Sequence, residues 1–373
     1  MLVNETVVRK LEHIDVVLKE DTVFPGECRE LYESIILVHQ ALPLVDYKDI
    51  DTSIEFLGYT LEAPLMITGI TGGHPEATKI NEGLARIAEK TGIAIGVGSQ
   101  RAMIEKPTDE IKKSYTIVRE VAKNVPVIGN IGLNTLHDLS LRDIENIVDA
   151  IKADALAVHL NPAQELVQPE GDTRFTRESL GILEDIVREL SVPVIVKEVG
   201  NGLSMEVVEL LSSIGIEYFD VAGACGTNWV RVEEYRARRR GARDKVLLAE
   251  KLRKWGIPTP QAVIEARWAN PKAFIIASGG VWDGIRAAKN IVLGADMNGF
   301  AQPVLRKLLE SGVDGAVEYV KNYVDELKSV MFLVGASSIK ELRRKPFILL
   351  DPLKTIIESR RIDLEKYMVI KTG

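Results

Sequence analysis

Short apolar runs rich in β-branched residues alternate with longer amphipathic stretches along most of this chain. Eight of the runs predict strands, at residues 64–70, 93–98, 126–131, 155–161, 193–199, 218–223, 274–279 and 295–300. The stretches between them predict helices, at residues 76–90, 109–123, 141–151, 177–190, 205–213, 284–293 and 303–310. Eight β-then-α units require parallel strands with right-handed crossovers. The pattern therefore predicts an α/β fold, a (β/α)8 TIM barrel.

The ends of the predicted strands support the barrel. Apolar residues at consecutive positions, as in Val194 to Val196, are expected for strands buried on both faces. Each run then ends in polar residues or glycine, and in a barrel that end carries the active site. The competing architecture is a doubly wound sheet. It lacks support, because the nearest string to a dinucleotide fingerprint, at residues 96–101, has Arg101 where the third glycine belongs.

Size and composition bound the class of protein. A chain of 373 residues could hold two or three domains, but one α/β barrel can run to about 400 residues with insertions. No apolar run is long enough to span a membrane, and residues 1–21 lack the apolar centre of a signal peptide. We therefore expect a cytoplasmic protein. The formal net charge of −7 argues against a nucleic-acid or membrane partner, so an anionic substrate would need a local cluster of cations.

The two cysteines, Cys28 and Cys225, lie far apart in sequence and in neither a CxxC motif nor a Cys/His cluster. This spacing gives no basis for a disulfide framework or a structural zinc site. We expect both to be free thiols.

Three segments of the single predicted domain, 1–373, fall outside the repeat. Residues 1–60, with an extended stretch at 53–57, would cap the barrel or reach over its mouth. Residues 228–271 are too long for one crossover helix and predict two or more helices, whose basic run at 236–243 is typical of a solvated helix face. Residues 314–373 are expected to form C-terminal helices.

Small residues follow three neighbouring predicted strands. Gly226-Thr227 follows strand six, Ser278-Gly279-Gly280 follows strand seven, and Gly299 to Gln302 follow strand eight. Barrels commonly bind phosphate here, because small residues let backbone N–H groups and a helix N-terminus approach an anion. A single glycine would indicate only a turn, but three such turns together predict a phosphate cradle.

Two further features carry chemistry. Lys197 ends an apolar strand, so its ammonium needs a partner: Glu198 or another carboxylate, or an anionic cofactor or substrate. Residues 159–165 place an imidazole, two amides and the carboxylate of Glu165 after strand four. Glu165 is either a surface residue or a ligand of Mg²⁺, which one carboxylate can hold together with substrate phosphate oxygens.

Together these motifs resemble the type 2 isopentenyl-diphosphate delta-isomerases from Arg9 to about residue 335. The resemblance rests on Arg9-Lys10-x-x-His13, Ile70-Thr71-Gly72-Gly73, residues 96–101, His159-Leu160-Asn161-Pro162-Ala163-Gln164-Glu165, residues 168–172, Val196-Lys197-Glu198 and Gly226-Thr227-Asn228-Trp229. The block at 159–172 is specific to that family. Lys197 and the strand-seven glycines are shared with other FMN barrels.

The resemblance implies an isomerase of isoprenoid biosynthesis, a flavoprotein that interconverts isopentenyl diphosphate and dimethylallyl diphosphate with reduced FMN and Mg²⁺. It implies NADPH or NADH as reductant and a homotetramer or homo-octamer. The implied flavin-binding residues are Thr68, Gly69, Ile70, Thr71, Ser99, Asn130, Lys197, Thr227, Gly279, Gly280, Val281, Ala301 and Gln302. The implied substrate-binding residues are Arg9, Lys10, His13, Ser99, Gln100, Arg101, His159, Asn161 and Gln164, and Glu165 is the implied Mg²⁺ ligand.

Moving a double bond by one carbon requires a proton added at one carbon and another removed two carbons away. Gln164, His159 and Lys197 are the implied catalytic residues. Since Gln164 is a poor acid and Lys197 is committed to the flavin's charge, the N5 region of the reduced flavin is the expected acid and base. The chain departs from the family pattern at Ala222 and Cys225, where serine and glycine are usual. These changes predict a weaker hold on the flavin and an oxidisable thiol beside it.

Two other functions were weighed. A 2-hydroxy-acid oxidase on an FMN barrel needs a histidine base and an arginine close together after strand seven, where this chain has Val281-Trp282-Asp283-Gly284. A non-catalytic sensor of phosphate ligands would keep Arg9, Lys10 and His13 but would need neither Glu165 nor Lys197. Both are present, which favours the isomerase.

Overall fold

The computed structural model describes residues 5–24, 26–105 and 107–372. Its centre is a closed barrel of eight parallel strands, which confirms the predicted fold. In chain order the strands are β1 (Leu65–Ile67), β2 (Ala94–Gly96), β3 (Val127–Gly132), β4 (Ala155–Leu160), β5 (Val194–Glu198), β6 (Tyr218–Asp220), β7 (Phe274–Ser278) and β8 (Met297–Phe300). Each strand pairs with the next, and β8 pairs with β1 to close the barrel.

The strand register aligns three polar residues near the carboxyl end of the barrel. His159 on β4 is opposite Lys197 on β5, and Lys197 is opposite Asp220 on β6. Residues opposite one another in parallel strands point to the same face of the sheet. The backbone therefore brings an imidazole, an ammonium and a carboxylate to one side of the barrel mouth.

Helices cover the outside of the barrel, as the apolar periodicity predicts. They are Pro75–Thr91, Asp109–Val121, Leu141–Ala150, Arg177–Glu189, Met205–Ser213, Thr259–Ala269, Gly284–Leu293 and Gln302–Leu333, with short turns at Arg101–Glu105, Leu133–Leu136 and Pro162–Val167. Several begin at side chains that cap the free N–H groups of the first turn, as Ser140 does for Leu141–Ala150. The helix expected at 303–310 continues to Leu333 past a break at Gly312, where φ is +69°.

The extended stretch predicted at 53–57 closes the amino end of the barrel. Strands Ile54–Phe56 and Tyr59–Leu61 form an antiparallel hairpin. Phe56 packs on the rings of Tyr218 and Phe274, which are the first residues of β6 and β7. The hairpin plugs the end opposite the cavity described below.

An N-terminal segment and a C-terminal segment of the described chain meet outside the barrel. Helix Glu5–Lys19 lies at the barrel mouth, and helix Glu27–Glu33, strand Ile35–Leu37 and the 3₁₀ turn Tyr47–Asp49 follow it. Strand Ile35–Leu37 pairs antiparallel with strand Phe347–Leu349. The C-terminal region, expected to be helical, thus contains a strand besides its helices Ile339–Arg344, Leu353–Ser359 and Leu364–Ile370.

The basic run at 236–243 is only in part the solvated face that the sequence predicts, since Arg238, Arg239 and Arg240 are exposed but Arg236 is not. The insertion forms helices Trp229–Arg240 and Arg243–Leu252. Arg236 is fully buried and pairs with Glu12, Glu170 and Glu233, while Arg239 pairs with Asp15 of the N-terminal helix. A run of charged residues is interpreted as solvent-exposed when the residues that pair with it are distant in sequence and so cannot be recognised. Here those partners attach helix Glu5–Lys19 to the insertion.

The expectation of free thiols is wrong. Cys28 and Cys225 form a disulfide whose Cα atoms are 5.3 Å apart, although the two residues are separated by 197 positions in sequence. The fold brings helix Glu27–Glu33 against the turn that follows β6. Sequence spacing carries no information about such a contact. Cys225 is therefore not the oxidisable free thiol that the sequence predicted.

No helix in the described part of the chain combines the length and the apolarity that crossing a bilayer requires.

Candidate active site

A cavity opens at the carboxyl ends of the strands, beneath the N-terminal helix. Nearly all the predicted site residues line it: Arg9, Lys10, His13, Thr68, Gly69, Ile70, Thr71, Ser99, Arg101, Asn130, His159, Asn161, Gln164, Glu165, Lys197, Thr227, Gly279, Gly280, Val281, Ala301 and Gln302. The expected cofactor-binding and substrate-binding groups thus share one cavity. Arg9 and Lys10 bring positive charge to this cavity, whereas burial lowers the pKa of His13.

Gln100 is the predicted site residue that the structure places elsewhere. Its side chain is fully buried, donates to the carbonyl oxygen of Ile147 at 2.7 Å and accepts from the amide of Asn130 at 3.0 Å. Its neighbours Ser99 and Arg101 line the cavity. Gln100 turns away from them and braces the turn that carries them, and it is not among the residues that line the cavity.

The three small-residue turns interlock where the sequence predicts a phosphate cradle. A Cβ added at Gly280, whose φ is +75°, would lie 2.1 Å from the carbonyl oxygen of Cys225, and one at Gly226 would lie 2.6 Å from the amide of Gly280. Backbone therefore packs directly on backbone between the turns after β6 and β7. The Thr227 hydroxyl donates to Gln302 at 3.2 Å, which ties in the start of helix Gln302–Leu333. Small turns with a helix N-terminus fit the phosphate of a bound cofactor.

Lys197 has two neighbours in the cavity wall. Its ammonium donates to the carbonyl oxygen of Glu198 at 2.6 Å and lies 3.8 Å from a carboxylate oxygen of Asp220. The Glu198 carboxylate turns away and accepts from backbone amides of the following loop, including that of Val199 at 2.7 Å. Burial raises the pKa of Glu198 to about 7. The carboxylate that faces Lys197 is thus Asp220, which sequence reasoning missed because it reads as an interior residue of the strand predicted at 218–223.

His159 is a neutral imidazole in this cavity. Its Nδ1 lies 2.8 Å from the amide oxygen of Asn130, which can only accept, so Nδ1 carries the proton. Burial, followed by the charges of Lys197 and Arg9, lowers the pKa of His159 to about 3. At neutral pH its Nε2 is unprotonated, and an anion bound nearby would raise the pKa.

The N-terminal helix brings a lysine with an unusual proton affinity. Lys10 donates to the carbonyl oxygen of Ser99 at 2.7 Å and to the hydroxyl of Tyr115 at 2.6 Å. Burial, together with the charge of Arg9, lowers the pKa of Lys10 to about 7. The amine is therefore poised between its charged and neutral forms, and an anion in the cavity would favour the charged form.

Glu233 links the N-terminal helix to the loop after β4, and sequence reasoning missed it too. One of its oxygens accepts from His13 at 2.7 Å and from the amide of Gln164 at 3.0 Å, and the other pairs with Arg236. Burial opposes its charge, but His13 and Arg236 lower the pKa of Glu233 to about 2. Glutamate in a charged helix gives no sequence signal for such a contact. The result is a fixed orientation for Gln164.

Glu165 lies in the cavity wall with its carboxylate held by hydrogen bonds. It accepts from the amide nitrogen of Asn161 at 2.8 Å and from the backbone of Asp172 at 2.7 Å, and burial raises its pKa. Among the described residues, no group of three histidine, cysteine, aspartate or glutamate side chains could hold a metal ion. A cation at Glu165 would therefore need other oxygen ligands from substrate or water.

Comparison with known proteins places these features in a family. The model of FMN-dependent dehydrogenases matches residues 144–348. The isopentenyl-diphosphate delta-isomerase of Metallosphaera sedula is 42% identical over 366 residues, covering 98% of this chain and 98% of the relative. That of Methanothrix thermoacetophila is 45% identical over 361 residues, covering 96% and 98% respectively.

Solved structures of flavin oxidases have the same fold. A lactate oxidase of Pediococcus acidilactici superposes with a TM-score of 0.67 at 15% identity, covering 92% of this chain and 94% of that one. A mandelate oxidase gives a TM-score of 0.63 at 16% identity, covering 91% and 96%. At such identities the likeness is one of fold alone. The family is shown by the relatives that align over nearly the whole chain, and part of the chain matches the model of FMN-dependent dehydrogenases. The chain belongs to the isopentenyl-diphosphate delta-isomerases.

Proposed function

We propose that this protein interconverts isopentenyl diphosphate and dimethylallyl diphosphate in isoprenoid biosynthesis. One observation carries the proposal beyond family membership. Arg9, Lys10 and His13, from the N-terminal helix, line the same cavity as the small-residue turns at the carboxyl ends of β6 to β8. The cavity thus offers one place for a phosphate-bearing cofactor and a second, cationic place for a diphosphate substrate.

FMN is the proposed cofactor, and NADPH or NADH is the proposed reductant. The turns at Thr227, Gly280 and Gln302 would hold the FMN phosphate, while residues 68–71, Ser99 and Asn130 would surround the rest of the cofactor. When bound and reduced, FMN supplies a group that can donate and accept a proton next to a hydrocarbon. Lys197 would place a positive charge against it and so favour the reduced form.

The diphosphate would be bound by the N-terminal helix and the turn after β2. Arg9 and Arg101 offer planar guanidinium groups for phosphate oxygens, and Lys10 becomes fully charged when an anion binds. His159, neutral in the free protein, gains a proton more readily beside that anion. His159, Gln164 and Lys197 line the same cavity and would surround the hydrocarbon part of the substrate. Closing this space from water favours proton transfer to an unactivated alkene.

Glu165 is the proposed Mg²⁺ ligand, together with oxygens of the substrate diphosphate. Replacing it in the Glu165→Gln variant keeps the shape of the side chain but removes the charge that attracts the cation. We expect the variant to lose most activity and its Mg²⁺ dependence, while FMN stays bound. The exposed Glu178→Gln change is the matched control and should leave both unaltered. Wild-type activity with unchanged Mg²⁺ dependence in Glu165→Gln would assign the metal to another ligand.

The remaining proposals concern the protein's setting. We propose a cytoplasmic homotetramer or homo-octamer that acts on small molecules, without a nucleic-acid or membrane partner. Disulfides are rare in the cytosol of mesophiles but common in intracellular proteins of hyperthermophiles, so the Cys28–Cys225 bond is compatible with this location. Light scattering of the purified protein measures the subunit number.

Anaerobic conversion of isopentenyl diphosphate tests the proposed activity. The purified protein is loaded with FMN, supplied with Mg²⁺ and reduced with dithionite, and dimethylallyl diphosphate is measured by chromatography. We expect conversion in both directions and none with FMN alone. Lactate and mandelate serve as controls, and neither should be oxidised. Reduced, FMN-loaded protein that converts neither diphosphate would contradict the proposal. Oxidation of either hydroxy acid would favour the oxidase instead.

A further inference from the structure

Asp220 is a buried carboxylate for which the proposed reaction has no use. It ends β6, is fully buried and is not among the residues that line the cavity. Burying a charged carboxylate is costly unless it is paired and hydrogen-bonded. Its position next to the cavity therefore calls for an explanation.

The two oxygens of Asp220 have different surroundings. Oδ1 accepts from the hydroxyl of Ser278 and from the amide of Ala222 at 3.3 Å. Oδ2 has no hydrogen-bond partner among the described residues, and it is this oxygen that lies 3.8 Å from the ammonium of Lys197. The unsatisfied side of the carboxylate thus faces the lysine.

The backbone fixes this arrangement. Lys197 and Asp220 are direct partners in the β5–β6 register, so both side chains point to the same face. Glu198 cannot take the place of Asp220, because its carboxylate accepts from the amides of Val199 and Gly200. Asp220 is the carboxylate within 4 Å of the Lys197 ammonium in the described part of the chain.

We propose that Asp220 is a positioning residue that holds the Lys197 ammonium at the cavity wall and offsets its charge, thereby setting how readily bound FMN is reduced. This inference rests on the proposed FMN site. Reduction adds negative charge to the flavin. With Asp220 present, Lys197 offers that charge a partly compensated cation. Without it, the full positive charge would act on the flavin and favour the reduced form.

The Asp220→Asn variant removes the charge and keeps an oxygen for Ser278 and Ala222. In the FMN-loaded protein we expect the midpoint potential to shift to more positive values. Lys197→Met is expected to shift it to more negative values. Burial raises the pKa of Asp220 and the charge of Lys197 opposes that rise, so Asp220 becomes protonated and neutral once Lys197 is gone. In the Lys197→Met background, Asp220→Asn should therefore shift the potential much less than it does alone. This dependence on Lys197 is the readout that a merely structural role would not give.

Asp296→Asn is the matched control. Asp296 is also an ion-paired aspartate, with 14% of its side chain exposed, but it lies before β8 at the amino end of the barrel and pairs with Arg267 and Arg343. We expect its substitution to leave the potential unchanged. The inference would be overturned by an Asp220→Asn shift equal with and without Lys197, or by no shift at all.

A measurement without FMN covers the case in which Asp220→Asn alone does not fold or the cofactor does not bind. The melting temperatures of apoprotein are compared for Lys197→Met and for the double variant Lys197→Met/Asp220→Asn. If the two side chains are partners, Asp220 loses the cation that stabilises its charge once Lys197 is gone, so the double variant should melt at the same or a higher temperature. A lower melting temperature of the double variant would show that Asp220 only accepts the hydrogen bond of Ser278 and is not a partner of Lys197. This result does not depend on isomerase activity, so the two proposals can fail separately.

Discussion

At the scale of single residues, burial decides which side chains of the cavity carry charge. Lys10 has a pKa of about 7 and His159 a pKa of about 3, in both cases chiefly because burial disfavours the charged form. Both groups are therefore largely or partly neutral before substrate binds. An anion bound in the cavity would favour the charged form of each group and so raise both pKa values.

The pKa of Lys10 predicts how kcat/KM depends on pH. The amine is charged below pH 7 and neutral above it, and an anionic substrate binds the charged form. We expect kcat/KM, which reports the free enzyme, to fall above pH 7 by up to about tenfold per pH unit, while kcat stays nearly constant. Lys10→Met should lower kcat/KM and abolish this fall. The same fall in Lys10→Met and in the wild type would assign it to another group.

A substitution at Gly280 tests whether the turns after β6 and β7 bind the FMN phosphate. In Gly280→Leu the new side chain meets the backbone of Cys225 at a positive φ, so the turns after β6 and β7 must separate. We expect folded protein without bound FMN, measured as the loss of the flavin absorbance after gel filtration. Gly181→Leu is the control, since nothing lies within 4 Å of a Cβ there. Full flavin content in Gly280→Leu would place the phosphate elsewhere.

At the scale of elements, the periodicity of apolar residues predicted the strands and helices well, whereas the spacing of charged residues and cysteines did not predict their contacts. All eight barrel strands were found from apolar runs, because strands buried on both faces have a distinctive pattern. The ends of those strands pointed to the cavity residues on the barrel, whereas Arg9, Lys10 and His13 came from the family resemblance. The local sequence does not indicate contacts between elements that are distant along the chain. From sequence alone, Asp220 and Glu233 were interpreted as ordinary strand and helix residues, and Arg236 as a solvent-exposed one. Their roles depend on neighbours that only the folded chain brings together.

The ion pairs of Arg236 are expected to attach helix Glu5–Lys19 to the insertion. Arg236→Met leaves Glu12, Glu170 and Glu233 without a shared buried cation, and breaking such a network costs about 3–5 kcal/mol. We expect a lower melting temperature and a KM for isopentenyl diphosphate raised by about tenfold or more, with FMN content unchanged.

Arg239→Met is the control for this prediction. Arg239 pairs with Asp15 and Glu20 but is 39% exposed, so its pairs contribute about 1 kcal/mol or less. Its KM should stay close to that of the wild type. Equal KM values for the two variants would show that the network does not position the helix.

At the scale of the whole molecule, the Cys28–Cys225 disulfide ties the start of the chain to the phosphate cradle. A bond that closes a loop across 197 positions is expected to stabilise the folded state by about 5 kcal/mol, through the restricted unfolded chain. We expect dithiothreitol to lower the melting temperature of the wild type and to leave that of the Cys28→Ser/Cys225→Ser variant unchanged. Two titratable thiols in unreduced, denatured protein would contradict the bond.

The balance of reductant and product tests the central claim most directly. Isopentenyl diphosphate and dimethylallyl diphosphate are isomers, so an isomerase consumes reductant only to prepare its cofactor. Under strictly anaerobic conditions in D₂O, NADPH oxidation is followed by absorbance while dimethylallyl diphosphate is quantified by mass spectrometry. We predict many product molecules for each NADPH consumed, with deuterium in the product. One NADPH consumed for each product formed would contradict the account and make the protein an oxidoreductase.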